Sequence, residues 1–388
     1  MAVITSGVQY SGRWNLQTQG QAAGAFNWPG VVLPQRLYAW GAAGQGQLGL
    51  GNTTYYSSPV QVGALTNWLK LAAGYAHSIA VKTDGTLWSW GYNSHGQLGD
   101  GTTVSKNSPI QIGALTTWIQ IAAGYSFSLA IKTDGTLWSF GRNLRGQLGD
   151  GTVVDKNSPI QVGSLTTWAK VAAGGFFTAA TTTDGKLYAW GNGSQGQLGQ
   201  GNDTRYSSPV QVGALTNWLS IVAGYTNTYA LKTDGTIWGW GYNSQGQVGD
   251  GSTTVRSSPV QIGALTTWAK VGAGNYFGFG VKADGTLWSW GYNGQGQLGT
   301  GNTTDYSSPV QVGALTTWSN VTGGNGSTLA TTTDGKLYAW GANNQGQLGQ
   351  GSTSPNYSSP IQVGALTTWE TVATLGYGQS SYAITKAP

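Results

Sequence analysis

The apolar positions of this chain come in short runs and never in a helical stripe. WLKLAAG (68–74) ends on glycine, HSIAVK (77–82) follows it, and the polar turn TDG (83–85) leads into TLWSWG (86–91). The last run alternates, with Trp88 and Trp90 on one face and Leu87 and Ser89 on the other, which is the period of a strand. Asp-Gly between two such runs predicts a hairpin turn. A Gly-rich connection then reaches a segment of the type SPVQVG (58–63 in the first copy), whose early proline suits an outer-edge strand. The pattern therefore predicts four short antiparallel strands per unit and no helix.

The unit repeats. The aromatic of the LYAWG or LWSWG segment stands at Trp40, Trp90, Phe140, Trp190, Trp240, Trp290 and Trp340, spaced by 50 residues each time. A second series, in GALTTW-like segments, stands at Trp68, Trp118, Trp168, Trp218, Trp268, Trp318 and Trp369. Four short strands repeated seven times predict an all-β fold, a seven-bladed β-propeller of four-stranded antiparallel blades over residues 36–388. The first copy begins at Arg36 without its first two strands, and the last copy ends without its last two. The ring should therefore close in one blade shared by N- and C-terminal strands. A swap between copies points the same way. Most read Lys before the turn and Thr after it, as at Lys82 and Lys132, whereas Thr182 goes with Lys186 and Thr332 with Lys336. The split copy has Thr385 and Arg36 in those places, so these two should be cross-strand neighbours with Cα atoms within about 8 Å.

The segment AAGYAHSIAVKTDGTLWSWGYNSHGQLGDGT (72–102) resembles a repeat of the RCC1 (regulator of chromosome condensation) family. Its Gly-x-x-His-Ser, Asp-Gly, Trp-Gly and Gly-Gln-Leu-Gly elements appear in the family's order, and the resemblance runs over residues 36–388. It implies a seven-bladed propeller. The eukaryotic namesake is a guanine nucleotide exchange factor for a small GTPase and binds chromatin, a role that uses an inserted β-wedge, for which the strict 50-residue spacing here leaves no room. Some bacterial members of the family act as plain protein binders. Near-identical repeats and a polar N-terminal segment also resemble structural proteins of tailed bacteriophages.

Composition narrows the chemistry. Charged residues are 8% of the 388, against roughly 25% in an ordinary domain. There is no Cys and there are only two His, His77 and His95, so thiolate and imidazole metal sites are not expected. Asp84, Asp134, Asp184, Asp234, Asp284 and Asp334 occupy one repeated turn, and Asp100, Asp150 and Asp250 one repeated loop position, where backbone bracing is the simpler role. The sequence GQGQLG (44–49, 294–299) fits a dinucleotide pattern but lacks the following helix that phosphate binding needs. His77 beside Ser78 suggests a base and nucleophile, but other copies hold Phe, Asn or Ser there. No catalytic residue, metal or cofactor is expected, and the repeated tryptophans read as inter-blade core. The net charge of +5 does not by itself imply nucleic acid; neither a signal peptide nor a membrane-spanning run is seen.

Copies differ most at two places that should share one face of the ring. One is the tip after Ala-Gly, with Tyr75, His77, Tyr125, Phe127, Phe176, Phe177, Tyr225, Asn227, Tyr276, Phe277 and Tyr377. The other is the long connection, with Tyr55, Tyr56, Lys106, Lys156, Arg205 and Arg256. Two readings stand: a recognition surface on a fixed scaffold, or drift of exposed loops. Residues 1–35, polar and carrying Trp14 and Trp28, read as an extended arm leaving the opposite face. Together these features predict a non-enzymatic binding and structural propeller. Its expected setting is a phage virion, as a tail or capsid-surface protein, with the arm on an assembly partner and the loops on an unknown protein or host-surface receptor. The alternatives are a bacterial protein-binding or inhibitory module and a carbohydrate-binding lectin. Neither nucleic acid nor membrane insertion is expected.

Overall fold

The computed structural model describes residues 35–374 and 379–386. Among these residues all regular structure is β, as 28 strands in seven four-stranded antiparallel sheets. Blade 1 runs from inner strand Trp68–Ala73 through His77–Lys82 and Leu87–Gly91 to outer strand Lys106–Gln111. Blades 2 to 6 repeat this order over 118–161, 168–211, 218–261, 268–311 and 318–362. The closing blade takes Arg36–Gly41 and Tyr56–Thr66 from the start of the chain and Trp369–Thr374 and Ser380–Thr385 from its end. Arg36 pairs directly with Thr385, as the swap between copies required.

The swap has a packing cause. Where Lys precedes the turn, its ammonium sits over tryptophans: Lys132 Nζ lies 3.7 Å from the Trp138 ring centre and 5.0 Å from that of Trp118. Where Thr precedes it, the tryptophan partner is Tyr188 or Tyr338, and the lysine after the turn pairs instead with the turn carboxylate, Lys186 with Asp184 at 2.7 Å and Lys336 with Asp334 at 2.9 Å. A cation over two indole faces and a cation on a carboxylate are alternative ways to hold the same hairpin end.

Blades adhere through aromatic core. Trp218 and Trp240 of blade 4 pack with Phe177, Leu187, Leu198 and Val212 of blade 3, and equivalent clusters lie at the other described blade junctions. At about 200 Å² per ring and roughly 25 cal/mol per Å², each buried tryptophan contributes on the order of 5 kcal/mol before entropy is counted. Polar latches set the spacing. The Gln47 carbonyl of the Gly-Gln-Leu-Gly turn accepts from Trp90 Nε1 at 2.7 Å and from Ser78 Oγ at 3.2 Å, both in the next blade. Gln147 receives Trp190 and Thr178 in the same way. A Cβ on Gly49, at φ +73, would lie 2.8 Å from Trp90 Nε1, so this turn needs glycine for both its backbone angle and its neighbour. GQGQLG is thus an inter-blade latch followed by loop and strand, and the helix a dinucleotide site requires is not there.

Candidate binding face

The tips that follow the inner strands and the long connections that follow the third strands share one face of the ring. The Ala76 carbonyl in the tip accepts from Tyr92 N at the start of the long connection. The TDG turns and the GALTTW-type segments share the other, where Trp118 N donates to Gly85 O. Inner strands surround a central channel of about 280 Å³, lined by apolar residues such as Leu71, Ile121, Val171 and Ile221.

At the channel mouth the tips are stitched blade to blade. Tyr75 N donates to Tyr125 O (3.1 Å), Tyr125 N to Gly175 O (3.3 Å), Gly175 N to Tyr225 O (3.0 Å), Tyr225 N to Asn275 O (3.1 Å) and Asn275 N to Gly324 O (3.1 Å). This stitching brings residues fifty apart into contact. Tyr75 stacks on Tyr125 with ring centres 4.3 Å apart, and Tyr125 on Phe176 at 5.1 Å. Tyr225 meets Phe176 and Tyr276 edge-on, each at 6.1 Å. The Arg142 guanidinium lies 5.5 Å from the Phe176 ring centre. Five half-buried rings from five blades thus make one crescent on one side of the mouth. Burial, then the neighbouring tyrosine (Tyr75 and Tyr276 respectively), raises the pKa of Tyr125 and of Tyr225, so both stay neutral hydroxyls at ordinary pH.

Five tip positions expected on this surface are not on it. His77, Phe127, Phe177, Asn227 and Phe277 are the first residues of second strands and have no exposed surface. Each folds back beneath the tip glycine of its own blade: a Cβ on Gly74 would lie 2.3 Å from His77 Cε1, and one on Gly174 1.9 Å from Phe177 Cε1. They are plugs under the mouth. His77 Nε2 lies 3.0 Å from Ser128 Oγ, which itself donates to Gln97 O, and burial lowers the imidazole's pKa to about 3. That histidine is a neutral, fully buried side chain.

The long-connection residues separate from the crescent. Tyr55 and Arg205 are exposed, and Arg205 Nη1 donates to Leu144 O at 3.4 Å. Tyr56, Lys106, Lys156 and Arg256 open outer strands at one equivalent position. There Lys106, Lys156 and Arg256 pair with Asp100 (3.5 Å), Asp150 (3.4 Å) and Asp250 (2.6 Å), while Tyr56 OH accepts from Asn52 Nδ2 at 3.2 Å. The three lysine and arginine charges are therefore committed within their own loops. The turn aspartates brace their own backbones, Asp84 Oδ1 accepting from both the N and the Oγ1 of Thr86. Tyr377, Trp14 and Trp28 lie outside the described residues.

Arg142, which lies against the Phe176 ring, is a contributor that the sequence reading missed; it opens the long connection of blade 2, where Leu144 and Arg145 follow it and are exposed. Among the described residues, Arg142, Arg145 and Arg205 enter none of the ion pairs. Nearby Asp155 accepts from Asn143 N and meets His95 at 3.0 Å. The signal was available in the sequence: the residue after the third strand varies between copies as Ala42, Tyr92, Arg142, Asn192, Tyr242, Tyr292 and Ala342. Asn143 behind it is buried and holds the loop, its Nδ2 donating to Asp150 Oδ1 (3.0 Å) and Thr152 O (3.2 Å) while its Oδ1 accepts from Leu148 N (2.9 Å).

Comparison with known proteins agrees with this architecture. A model described as RCC1-like domain matches residues 166–387, and one described as regulator of chromosome condensation (RCC1) repeat matches 35–81, 84–131 and 134–181. Among solved structures, Prp20p from Saccharomyces cerevisiae is 23% identical with a TM-score of 0.82, covering 92% of each chain. Human WBSCR16 is 21% identical with a TM-score of 0.81, covering 91% of this chain and 99% of its own. At these identities the likeness is one of fold.

Proposed function

The chain belongs to the family built from RCC1 repeats, and from that footing we propose that it is a protein-binding module whose contact surface is the aromatic crescent at the channel mouth. One observation carries the reading: five rings, Tyr75, Tyr125, Phe176, Tyr225 and Tyr276, meet across five blades at positions where the ring itself asks for no aromatic. Gly326, for comparison, stands in blade 6 where Tyr276 stands in blade 5. Large, partly buried rings are the side chains that supply binding energy at low entropic cost. Arg142 beside them, with Arg145 and Arg205 exposed in the long connections of blades 2 and 3, favours a partner surface that carries carboxylates. Prp20p, of the same fold, is described with binding properties to Gsp1p and histones, which supports protein binding as a use of this architecture.

The test is affinity capture coupled to mass spectrometry, with the wild-type chain against the variant Tyr125→Ala/Phe176→Ala/Tyr225→Ala, alongside a glycan array. A discrete protein captured by the wild type and lost with the variant, at unchanged circular dichroism, is the expected result. Glycan binding lost in the same variant would replace the reading with a lectin. Residues 1–35, with Trp14 and Trp28, are the segment we propose to attach the ring to a larger assembly such as a virion; that part rests on the sequence alone. Deleting residues 1–34 should leave a folded ring that no longer joins its assembly.

A further inference from the structure

The central channel is walled by strand edges. Each inner strand pairs with a neighbouring strand on one side only, and its other edge faces the axis. Consecutive residues therefore line the cavity, 71–75 in blade 1 and 121–125 in blade 2, where a wall of side chains would use alternate ones. The tip bond from Gly74 N to His77 O fixes which backbone groups turn inward. By the alternation of an antiparallel pair, the N–H and C=O of Leu71 and Ala73 then point away from the hairpin, toward the axis, and the same bond recurs at Gly124, Gly174, Gly224, Gly274 and Gly324. Backbone donors and acceptors thus share a cavity of about 280 Å³ with aliphatic side chains. In blades 6 and 7 hydroxyls join them: Thr322 and Thr374 line the same cavity, their Oγ1 atoms 3.4 Å apart. Tyr75, Tyr125 and Tyr225 of the crescent line its mouth, and among the described residues that line it none is charged.

These walls select an occupant. A charged group would enter without a counter-charge, which a partly enclosed interior penalises heavily. A purely aliphatic group would cover backbone N–H and C=O groups and leave them unpaired. An engineered cavity of about 150 Å³ takes benzene, so 280 Å³ admits a larger ring with a polar tip. We propose that the channel mouth is an anchor pocket for one phenolic side chain of the bound partner, its ring entering past the crescent and its hydroxyl meeting the Thr322–Thr374 pair. The proposal rests on the crescent being a protein-binding surface. A phenol both donates and accepts, as a pair of threonines does, whereas an indole only donates.

Ligand-observed NMR titration of the full chain with N-acetyl-L-tyrosinamide and N-acetyl-L-phenylalaninamide tests it. The tyrosine probe should bind saturably and about fivefold tighter than the phenylalanine probe, the effect of one hydrogen bond of ordinary net strength. Thr322→Val/Thr374→Val keeps the shape and should remove that difference, while Ala123→Val/Ala223→Val narrows the cavity and should abolish binding of both probes. If circular dichroism shows the alanine variant unfolded, the threonine variant decides. No saturable binding of the tyrosine probe, equal affinity for the two probes in the wild type, or a preference unmoved by the threonine variant overturns the anchor. Affinity capture separates this failure from that of the crescent. A partner lost with Tyr125→Ala/Phe176→Ala/Tyr225→Ala but held at wild-type strength by a folded Ala123→Val/Ala223→Val removes the anchor and leaves the crescent standing; a partner weakened in both supports the anchor.

Discussion

Placing Phe177 as a plug under the channel mouth makes a quantitative prediction about its neighbour Gly174. Gly174 has no positive φ, so its conformation is open to any residue, and space alone excludes a side chain. An alanine Cβ there would lie 1.9 Å from Phe177 Cε1, 2.5 Å from Cδ1 and 2.6 Å from Cζ, against a ring with no exposed surface into which to swing. Overpacking of this kind costs about 1–3 kcal/mol, and contacts this short put Gly174→Ala at the upper end. Phe177→Ala alone empties a core position and costs about 3–5 kcal/mol. In the double variant the alanine methyl occupies space the ring has left, so the combined loss should fall short of the sum by about 2 kcal/mol. Urea unfolding followed by tryptophan fluorescence and by far-UV circular dichroism measures all three, provided the two probes coincide, since a ring of repeats can unfold in stages. Gly174→Ala within about 0.5 kcal/mol of wild type, or strict additivity in the double variant, would refute the packing argument. The same experiment bears on the binding face, because Phe177→Ala should lower stability whereas Phe176→Ala, one residue earlier and half-buried in the crescent, should lower binding and leave most of the stability.

Three further outcomes follow from the geometry. Lys132→Met keeps the side chain's bulk but removes the charge lying 3.7 Å from the Trp138 ring centre, and should cost about 1–2 kcal/mol in urea unfolding. Asn143→Ala removes the side chain that ties the long connection of blade 2 at several points; limited proteolysis should then cut between residues 144 and 155 while the strands survive, and an uncut loop would contradict its clamping role. The turn aspartates should make stability fall in acid. The Thr86 hydroxyl lowers the pKa of Asp84, and Lys186 lowers that of Asp184 to about 2. A pKa lowered in the folded state contributes stability that is complete above the unfolded value and is lost as pH falls toward the folded one. Thermal midpoints should hold down to about pH 5 and then decline toward about pH 2; a flat profile there would count against the turns as carboxylate-braced.

Much of the architecture was legible because it is local and repeated. A 50-residue period, strands read from alternation, and turns marked by Asp-Gly gave the blade; the missing half-copies at the two ends gave the closure. Even the Arg36–Thr385 pairing could be read from seven variants of one hairpin, since cross-strand partners change together. The binding face was read less well. The segments that vary were correctly placed on one side of the ring, but His77, Phe127, Phe177, Asn227 and Phe277 were counted as surface because they vary, and they prove to be buried plugs.

The physical reason lies in how a propeller buries its strands. Both faces of a blade are covered by neighbouring blades, so the two-residue alternation that marks inside and outside in a one-sided sheet tells only which neighbour a side chain meets. Exposure is decided by height along the channel axis and by what leans across from the next blade. The chain's pattern of apolar runs and turns was enough to specify strands, repeat number and ring closure. Only the assembled ring could bring Tyr75 onto Tyr125, or Tyr125 onto Phe176, because neither pair is closer than fifty residues along the chain.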